Sequence, residues 1–467
     1  MVESELAAVD LPEFGMPDEK PTLDADAYRR RLSRLRERAR EEYDAFVVYA
    51  DREHFANLAY LTGYDPRFEE ALLVVDPTDE SDPVLLVGNE GEGYAQTSPV
   101  RDDLEVAVFQ SFSLLGQDRD ESDSLTTILR NAGIDRSADV GVAGWKHFTE
   151  TEFDDPETVL EIPAYIARTL RDLVGDGGTV RNANDVLMDS DGGMRAVTTE
   201  VDQLAYFEFA AAHTSQAVRD VLFGVQPGMT EFEAVELMGV NGIPQSCHLM
   251  LSAGEQAQYG LPSPSSRTIR RGDPFTTAYG LWGALNSRAG FVVEDADGLP
   301  DGIEDYVDRL VKPYFEAVVA WYERVGIGVA GGELYDAIHD RIGDPFFGVE
   351  LNPGHLIHLD EWVDSPVYEG STEPLRSGMA VQVDVIPATG TDYFMTNIED
   401  GILLADEELR TEFASQYPGA WERIQRRREF MTDSLGIDLG ADVLPLSNIP
   451  AYLPPYLLSP GRAMRVA

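Results

Sequence analysis

The segment NPGHLIHLDEW, at positions 352–362, carries two histidines three residues apart, His355 and His358, with Asp360 and Glu361 just behind them. On a helix the two histidines would share a face, whereas on a strand they would point to opposite sides. Two histidines hold a metal only with at least one more ligand, which is usually a carboxylate. The alternative is a pair of hydrogen-bonded pocket histidines. This segment alone leaves both interpretations open.

Carboxylates in two other segments are placed where they could complete such a site. Asp384 interrupts the apolar run VQVDVIP, and Glu399 and Asp400 close NIED just before GILLA. A carboxylate within an apolar strand is costly unless it is paired, hydrogen-bonded or bound to a metal. His355, Asp384 and Glu399 could therefore converge on one cation. The alternative is a buried aspartate–arginine pair, for which Arg288 is the candidate partner.

The composition excludes several classes of function. The 467 residues include 84 acidic and 36 basic side chains, which gives a formal net charge of −48. A disordered acidic chain would lack aromatic residues, whereas this one has 19 Tyr, 20 Phe and 5 Trp. We therefore expect the excess acid on the surface of a folded, halophilic protein, because salt screens its self-repulsion. Nucleic acids and anionic membranes are disfavoured as partners, since both require a basic face.

Three features indicate a cytoplasmic protein. Cys247 is the single cysteine, so no intrachain disulfide forms, which is typical of a reducing compartment. The acidic start, MVESELAAVDLPEFGMPDEK, lacks the apolar core of a secretion signal. No apolar run approaches the roughly 20 residues that a membrane-spanning helix needs.

The pattern of apolar residues divides the chain into four parts. Residues 1–24 form an acidic, proline-containing arm. Residues 25–180 alternate short apolar strands with helices, which predicts an α/β domain, and the polar, glycine-rich stretch 181–194 is predicted to be a linker. Residues 195–435 combine long helices with strand-like runs, which predicts an α+β domain. The apolar, proline-rich tail, 436–467, is predicted to lack regular structure and to lie across a groove.

Local signals predict how two helices of the second domain begin. Thr199 and Asp202 are placed to cap a long helix, and Thr230 and Glu233 have the spacing of a capping box. The glycines of GIGVAGGEL formally match a dinucleotide-binding fingerprint, but a helix rather than a strand precedes them. We therefore expect a helix–helix loop there and no dinucleotide cofactor.

Five segments, in their order and spacing, resemble the pita-bread family of aminopeptidase P, prolidase and creatinase. They are GMTE, RRGDPFTTAYG, NPGHLIH, RSGMAVQVDVIP and NIEDGILL. The YLTG segment further upstream resembles the N-terminal domain of the family, and the resemblance covers about residues 25–410. It implies a creatinase-like α/β N-terminal domain with a mixed sheet, followed by an α+β pita-bread domain. It also implies a homodimer, which is common in the family.

The resemblance implies part of a metal site. The family peptidases hold two divalent metals with two aspartates, one histidine and two glutamates. His355 matches the histidine, Asp384 takes the place of one glutamate, and Glu399 matches the other. These three residues imply one divalent metal ion (Mn, Co or Zn) at most, or none at all.

The other family ligands are missing. Ala278 stands where the first aspartate belongs, and the second position falls near Leu285 or Asn286, neither of which is an acid. Two further family histidines fall near Leu261 and Trp362. Two dications held close together need several carboxylates to offset their charge, so we do not expect a dinuclear metallopeptidase. Creatinase, which keeps the fold and hydrolyses a C–N bond without metal, is the family's precedent for such a loss.

These features together favour a hydrolase that cleaves a C–N bond in a small molecule or short peptide bearing a carboxylate. His355, His358 and Glu399 are predicted to move protons. The residues predicted to bind the substrate are Arg67, Arg288 and Tyr259. Arg67 is the nearest match to the arginine that the N-terminal domain of creatinase contributes to a neighbouring subunit.

The alternative is a catalytically inactive pita-bread protein whose pocket binds a small molecule or a peptide end. A fold can be retained after its original reaction is lost. A chaperone of nucleic acids or basic proteins is disfavoured, since no acidic run stands apart from the general surface. Measuring the metal content of the purified protein is the first step towards separating these interpretations.

Overall fold

The structure is a computed structural model that describes residues 2–78 and 81–467. The chain divides into two compact units, Leu23–Arg195 and a second unit in which the residues up to Thr22 join Ala196–Ala467. Strand β1 (Ser4–Ala8) therefore belongs to the second unit. In the described part of the chain, no helix is both long enough and apolar enough to cross a bilayer.

The first unit is an α/β domain built on a mixed six-stranded sheet. Its strands are β2 (Ala45–Ala50), β3 (Ala71–Val75), β4 (Val84–Val87), β5 (Glu105–Val108), β6 (Asp139–Ala143) and β7 (Thr179–Asn182). Its helices are α1 (Ala25–Ala39), α2 (Ala56–Thr62), α3 (Asn89–Tyr94), α4 (Leu125–Asn131), α5 (Ala164–Val174) and α6 (Asp185–Met188). The spatial order is β5-β4-β3-β2-β6-β7, in which β3 runs antiparallel to both of its neighbours.

The central strands of this sheet are continuous apolar runs because they are covered on both faces. Every residue of β2 and β3 is buried, and side chains of α4 and α5 such as Leu129 and Leu170 pack on one face. The predicted α/β domain with a mixed sheet is thus confirmed.

The predicted linker at 181–194 is wrong, because that stretch contains the end of β7 and all of α6. Its sparse apolar side chains, Leu187 and Met188 among them, are buried, and a polar composition concealed this. The chain divides at Arg195 instead. The four domain ranges otherwise stay predictions.

The second unit is α+β and is built on a seven-stranded antiparallel sheet. The strands of this sheet are β8 (Met250–Ala253), β9 (Pro274–Leu281), β10 (Ala284–Phe291), β11 (His355–Leu356), β12 (Ala380–Val385), β13 (Asn397–Leu404) and β14 (Val443–Pro445). Strand β15 (Arg462–Val466) pairs with β1 in a separate two-stranded sheet. The spatial order is β11-β12-β13-β10-β9-β8, and β14 pairs with β13. This confirms the predicted α+β class.

Six helices accompany this sheet. They are α7 (Val201–Gly224), α8 (Glu231–Glu236), α9 (Lys312–Arg324), α10 (Gly331–Ile342), α11 (Glu407–Gln416) and α12 (Pro418–Glu429). The glycines of GIGVAGGEL lie between α9 and the start of α10, as the helix–helix loop interpretation predicts.

The two predicted helix starts have different outcomes. The capping box of Thr230 and Glu233 forms at the start of α8, with both of its hydrogen bonds present. The predicted cap of α7 is wrong: the helix begins after Glu200 without a side-chain cap. The carboxylate of Asp202 instead accepts a hydrogen bond from the hydroxyl of Tyr417, a partner distant in sequence.

The arm and the tail are more ordered than their composition predicts. Strand β1 pairs antiparallel with β15, from Ser4 opposite Val466 to Ala8 opposite Arg462. The tail also contributes β14 to the main sheet, so its predicted lack of regular structure is wrong. Most of its apolar side chains are buried in the unit, which gives the strands their stability.

Removing the buried side chain of Met464 tests the contribution of the terminal strand pair. Met464 is fully buried on β15, so Met464→Ala should cost about 2–5 kcal/mol through lost transfer energy and a cavity. The matched control is Met16→Ala, because Met16 is 37% exposed and its loss should cost under about 1 kcal/mol. Urea unfolding in concentrated KCl, followed by tryptophan fluorescence, measures both. Equal shifts for the two variants would show that the strand pair does not contribute to stability.

Candidate functional site

The strand register brings one residue from each of five strands into a single row across the sheet of the second unit. Met250 pairs with Ala278, Ala278 with Ser287, Ser287 with Glu399, and Glu399 with Asp384. Side chains of directly paired residues point to the same face, so this row defines one face, which we name the site face.

The histidine segment reaches the same face from β11. His355 pairs with Gln382, which is two residues from Asp384 on β12 and therefore points the same way. The His355 ring is fully buried and stacks on Trp362, with 4.1 Å between ring centroids. Its Nδ1 lies 3.3 Å from the carbonyl oxygen of Leu356. A proton on Nδ1 donated to that carbonyl leaves Nε2 as an acceptor or a metal ligand.

Three carboxylates lie near the His355 ring. Its Nε2 lies 3.2 Å from Glu361 Oε1 and 3.8 Å from Asp384 Oδ2. One ligand atom from each of His355, Glu361 and Glu399 falls within 4.8 Å of the others. The three residues predicted from sequence, His355, Asp384 and Glu399, are therefore brought together, and Glu361 joins them. We name these four residues the acidic cluster.

Burial dominates the electrostatics of the acidic cluster. It raises the pKa of Asp384 to about 6, where the charge of His355 opposes the rise and that of Glu361 adds to it. Burial and the charges of Asp384 and Glu361 also raise the pKa of Glu399 well above its usual value. Burial lowers the pKa of His355, but the hydrogen bond to Glu361 and the nearby carboxylates outweigh it, so the net shift is upward. The cluster thus attracts positive charge.

The acidic cluster has the donor set of one divalent metal. One imidazole nitrogen and carboxylate oxygens from several segments suit Zn²⁺, Mn²⁺ or Co²⁺. Asp384 is 5% exposed, and its Oδ1 has no hydrogen-bond partner within the described part of the chain. A buried carboxylate oxygen without a partner is costly, and a bound cation would relieve that cost. The residues present therefore fit a single metal ion.

The opposite face of the same strands holds a buried ion pair. Arg288 is fully buried and its Nη2 lies 2.7 Å from Asp400 Oδ2. The guanidinium also donates to the backbone carbonyls of Ile449, at 2.5 Å, and Tyr452, at 2.8 Å. This is the internal aspartate–arginine pair that the sequence left as an alternative, except that Asp400 rather than Asp384 is the acid. The predicted role of Arg288 in substrate binding is corrected, because these partners engage its guanidinium away from the site face.

The part of the site face beyond Ser287 is apolar. Met250, Ala278 and Leu285 form a small buried cluster against which Cys247 packs, and we name these four residues the apolar wall. Leu285 is two residues from Ser287 and so shares its face, whereas Asn286 points to the other side and hydrogen-bonds Asp400. Of the two positions considered for the missing second aspartate, Leu285 is thus the one on the site face. The wall includes Ala278 and Leu285, two positions at which the family resemblance implies carboxylates.

The remaining predicted site residues lie in different surroundings. The His358 ring is fully buried and meets Phe207 edge-on, with 5.2 Å between ring centroids. Tyr259 ends a 3-10 turn and is 61% exposed. Arg67, in the first unit, has a left-handed backbone with φ of 62°, and its guanidinium lies 3.6 Å from Asp65. The roles predicted for these three residues stay predictions.

Glu361 is the functional candidate that the sequence did not assign. It follows His355 by six residues in an irregular loop, so no helical or strand period relates the two side chains. The signal that could have found it is its place in the histidine segment next to Trp362, which stacks on His355.

Removing one partner of the buried ion pair tests how much the pair contributes to the free energy of unfolding. Arg288→Met leaves Asp400 charged and buried without its partner, which should cost about 3–5 kcal/mol in unfolding free energy. Arg465→Met is the matched control, because its pair with Glu5 is largely exposed and should contribute about 0–1 kcal/mol. The double variant Arg288→Met, Asp400→Leu should recover part of the loss. A single-variant cost as small as the control's would contradict this prediction.

Comparisons with known proteins find solved structures that share the fold at low sequence identity. No protein-family model matches the chain, and no curated protein does either. A prolidase from Thermococcus sibiricus matches at TM-score 0.62 and 16% identity, over 83% of this chain and 96% of its own. Dipeptidase PepE from Mycobacterium ulcerans matches at TM-score 0.59 and 18% identity, over 82% and 94%.

A third solved structure, an Xaa-Pro dipeptidase from Bacillus anthracis, matches at TM-score 0.58 and 17% identity, over 82% of this chain and 96% of its own. At these identities the likeness shows a shared architecture, and the low values agree with the divergence expected from the sequence. The resemblance predicted from sequence motifs is thus confirmed at the level of the fold. This chain is a divergent protein with the pita-bread fold of prolidases and Xaa-Pro dipeptidases.

Proposed function

We propose that the protein is a hydrolase that cleaves a C–N bond in a small substrate or short peptide, with the acidic cluster as its reactive centre and one divalent metal at most. The observation that carries the proposal is the position of His355 Nε2, which lies 3.2 Å from Glu361 and 3.8 Å from Asp384, with a ligand atom of Glu399 within 4.8 Å of those of His355 and Glu361. Two buried carboxylates and a partly exposed one beside a single imidazole are unfavourable unless they bind a ligand or take part in a reaction. The pita-bread fold, which the chain shares with peptidases, agrees with this reaction class but does not carry it.

His355, Glu361 and Glu399 would hold the metal, joined by Asp384 through Oδ2, the oxygen 3.8 Å from His355 Nε2, so that Asp384 Oδ1 stays available to a substrate. A bound dication would supply Lewis-acid polarisation of the scissile carbonyl and lower the pKa of water. The chain's own residues hold and move the proton: Glu399 accepts it from the attacking water and passes it to the leaving nitrogen as the C–N bond breaks. His355, fixed by Leu356 and Trp362, keeps its Nε2 directed at the cluster. The role of His358 stays a prediction, because its buried ring packs on Phe207.

A carboxylate on the substrate would require a cation to bind it. Of the predicted residues, Arg67 of a neighbouring subunit is the remaining candidate, as the family resemblance implies, because Arg288 is engaged at the back of the sheet. Tyr259 has an exposed side chain that is available for contact. A homodimer, a halophilic cytosol and the absence of a nucleic-acid partner stay predictions.

The second candidate is an inactive pita-bread protein that binds a small molecule or a peptide end. The apolar wall favours it, because Ala278 and Leu285 replace carboxylates that the dinuclear reaction requires. A binding protein would retain affinity for a substrate without turning it over, so activity assays separate the two candidates.

Metal content and turnover test the proposal together. Protein purified without an affinity tag in concentrated KCl should contain about one divalent transition metal per chain, and His355→Ala should lose it. Cleavage of Xaa-Pro dipeptides and simple amides, assayed with Mn²⁺, Co²⁺ or Zn²⁺, should fall at least about 100-fold in Glu399→Gln. The matched control is His339→Ala, because His339 lies on α10 and stacks on Tyr335.

The possible outcomes separate the candidate functions. Turnover without metal would favour a creatinase-like reaction in which His355 and Glu399 act alone. Metal content unchanged in His355→Ala would overturn the proposed centre. The absence of both metal and turnover would favour the binding protein.

Restoring the missing carboxylates tests whether the apolar wall marks the lost half of a dinuclear site. The double variant Ala278→Asp, Leu285→Asp adds two acids to the site face, which should raise the metal content from about one ion per chain to about two. The matched control is Ala278→Asn, Leu285→Asn, which has similar volume without the charge. Elemental analysis measures both. Equal metal content in the two double variants would contradict the assignment.

A further inference from the structure

The apolar wall is more than a place where ligands are missing, because it continues the acidic cluster on the same face of the sheet. Ser287 stands between them, paired with Ala278 on one side and with Glu399 on the other. Neighbouring strands are about 4.8 Å apart, so Leu285, on β10, lies one strand from β13, whereas Ala278, on β9, lies two strands from Glu399.

Gln382 marks the junction between the wall and the cluster. Its Nε2 donates to the carbonyl oxygen of Leu285 at 2.6 Å, so its side chain reaches from β12 over β13 to β10. Gly401, which pairs with Gln382 on β13, makes this crossing possible, because a Cβ there would lie 2.8 Å from Gln382 Oε1. The amide is therefore held in one orientation, with its oxygen fixed at the junction.

Two acceptors at this junction have no protein donor. Gln382 Oε1 and Asp384 Oδ1 are both buried, and neither has a hydrogen-bond partner among residues 2–78 and 81–467. Buried acceptors without partners are costly in a folded protein and point to a donor supplied from outside. The charge of the site also favours a cationic ligand. The three carboxylates of the acidic cluster together carry more negative charge than one dication offsets, so the site stays negative when one metal is bound.

The wall and the carboxylates also influence each other directly. Burial raises the pKa of the Cys247 thiol to about 12, and the charges of Glu361 and Glu399 add to the rise. The thiol of Cys247 therefore lies within electrostatic range of the acidic cluster.

We propose that the site face binds a small organic cation, whose N–H donors bond Gln382 Oε1 and Asp384 Oδ1 while its aliphatic group packs on Met250, Ala278 and Leu285. This deepens the proposed function, on which it rests for identifying the site face as the substrate site. Gln382 is then a binding residue for the substrate, and the apolar wall determines which substituent the substrate carries beside its cationic nitrogen.

Three probes of similar length separate the contributions of charge, N–H donors and aliphatic surface. They are n-butylammonium, n-butyltrimethylammonium, which keeps the charge without N–H donors, and n-butanol, which is neutral. Calorimetric titration of the full chain in concentrated KCl should show n-butylammonium binding at least about tenfold more tightly than the other two, as a hydrogen bond to a charged group implies. Gln382→Met should reduce the difference between the two cations. Equal binding of all three, or no binding of n-butylammonium, would overturn the proposal.

Two wall variants should change the preferred size of the cation in opposite directions. Leu285→Ala enlarges the space and should favour cyclohexylmethylammonium over n-butylammonium, whereas Ala278→Val fills it and should favour ethylammonium. Each methylene group gained or lost is expected to change affinity about fourfold. Leu299→Ala is the matched control, because Leu299 is also 8% exposed or less and follows the opposite end of β10.

The readouts distinguish a binding role from a structural one. A general loss of stability would weaken all cations alike and leave their order of preference unchanged, which would overturn the role of the wall. If Leu285→Ala does not fold, Ala278→Val and Gln382→Met still test the proposal. Binding of n-butylammonium without any turnover of amides or peptides would overturn the proposed hydrolase but leave this site intact.

Discussion

Burying Asp384 and Glu399 beside His355, with the partly exposed Glu361 next to them, places negative charge where water screens it poorly, and the surrounding structure depends on how that charge is balanced. Burial raises the pKa of Asp384 and of Glu399, and the neighbouring acids add to both shifts. Such a cluster persists only if protons, a metal or a cationic ligand complete it, and if the backbone holds the acids in place. The strand register supplies the second condition, because Glu399 and Asp384 face each other across β12 and β13.

Side chains alternate between the two faces of β13, so two adjacent acids point to opposite faces and have different partners. Glu399 points to the site face, while Asp400 points to the back and pairs with Arg288. Arg288 in turn binds carbonyls of the tail, and Asp400 Oδ2 accepts from the backbone N–H of Ala451 at 2.9 Å. The tail therefore closes the back of the strand that carries Glu399. This explains why an apolar, proline-rich segment is buried here, and it links the integrity of the site to residues far from it in sequence.

Residues of the site can be predicted from the sequence where a chemical group stands out within a local pattern. They cannot be predicted where only the tertiary fold brings a residue to the site. An acid inside an apolar run identified Asp384, and motif order identified His355 and Glu399, because those signals are local. Glu361 was missed because a loop rather than a period brings it to His355. The sequence does not show which partner Arg288 has, because an arginine that binds a substrate and one that pairs with a buried aspartate look the same in a sequence. The strands of the tail were missed because its prolines argue against strands and so hide the few positions that pair.

The number of carboxylates then limits what the site can bind. A site with the family's five acidic or imidazole ligands can balance two dications, whereas the acidic cluster retains one imidazole and three acids. One dication leaves a net negative charge beside an aliphatic surface, and Gln382 offers an acceptor at the boundary between them. On the proposals made above, Ala278 and Leu285 stand where the family resemblance implies acids, so the site would lose a second metal position. It would gain contacts that favour a molecule with a cationic nitrogen and an aliphatic substituent, and the same fold would then select another kind of ligand.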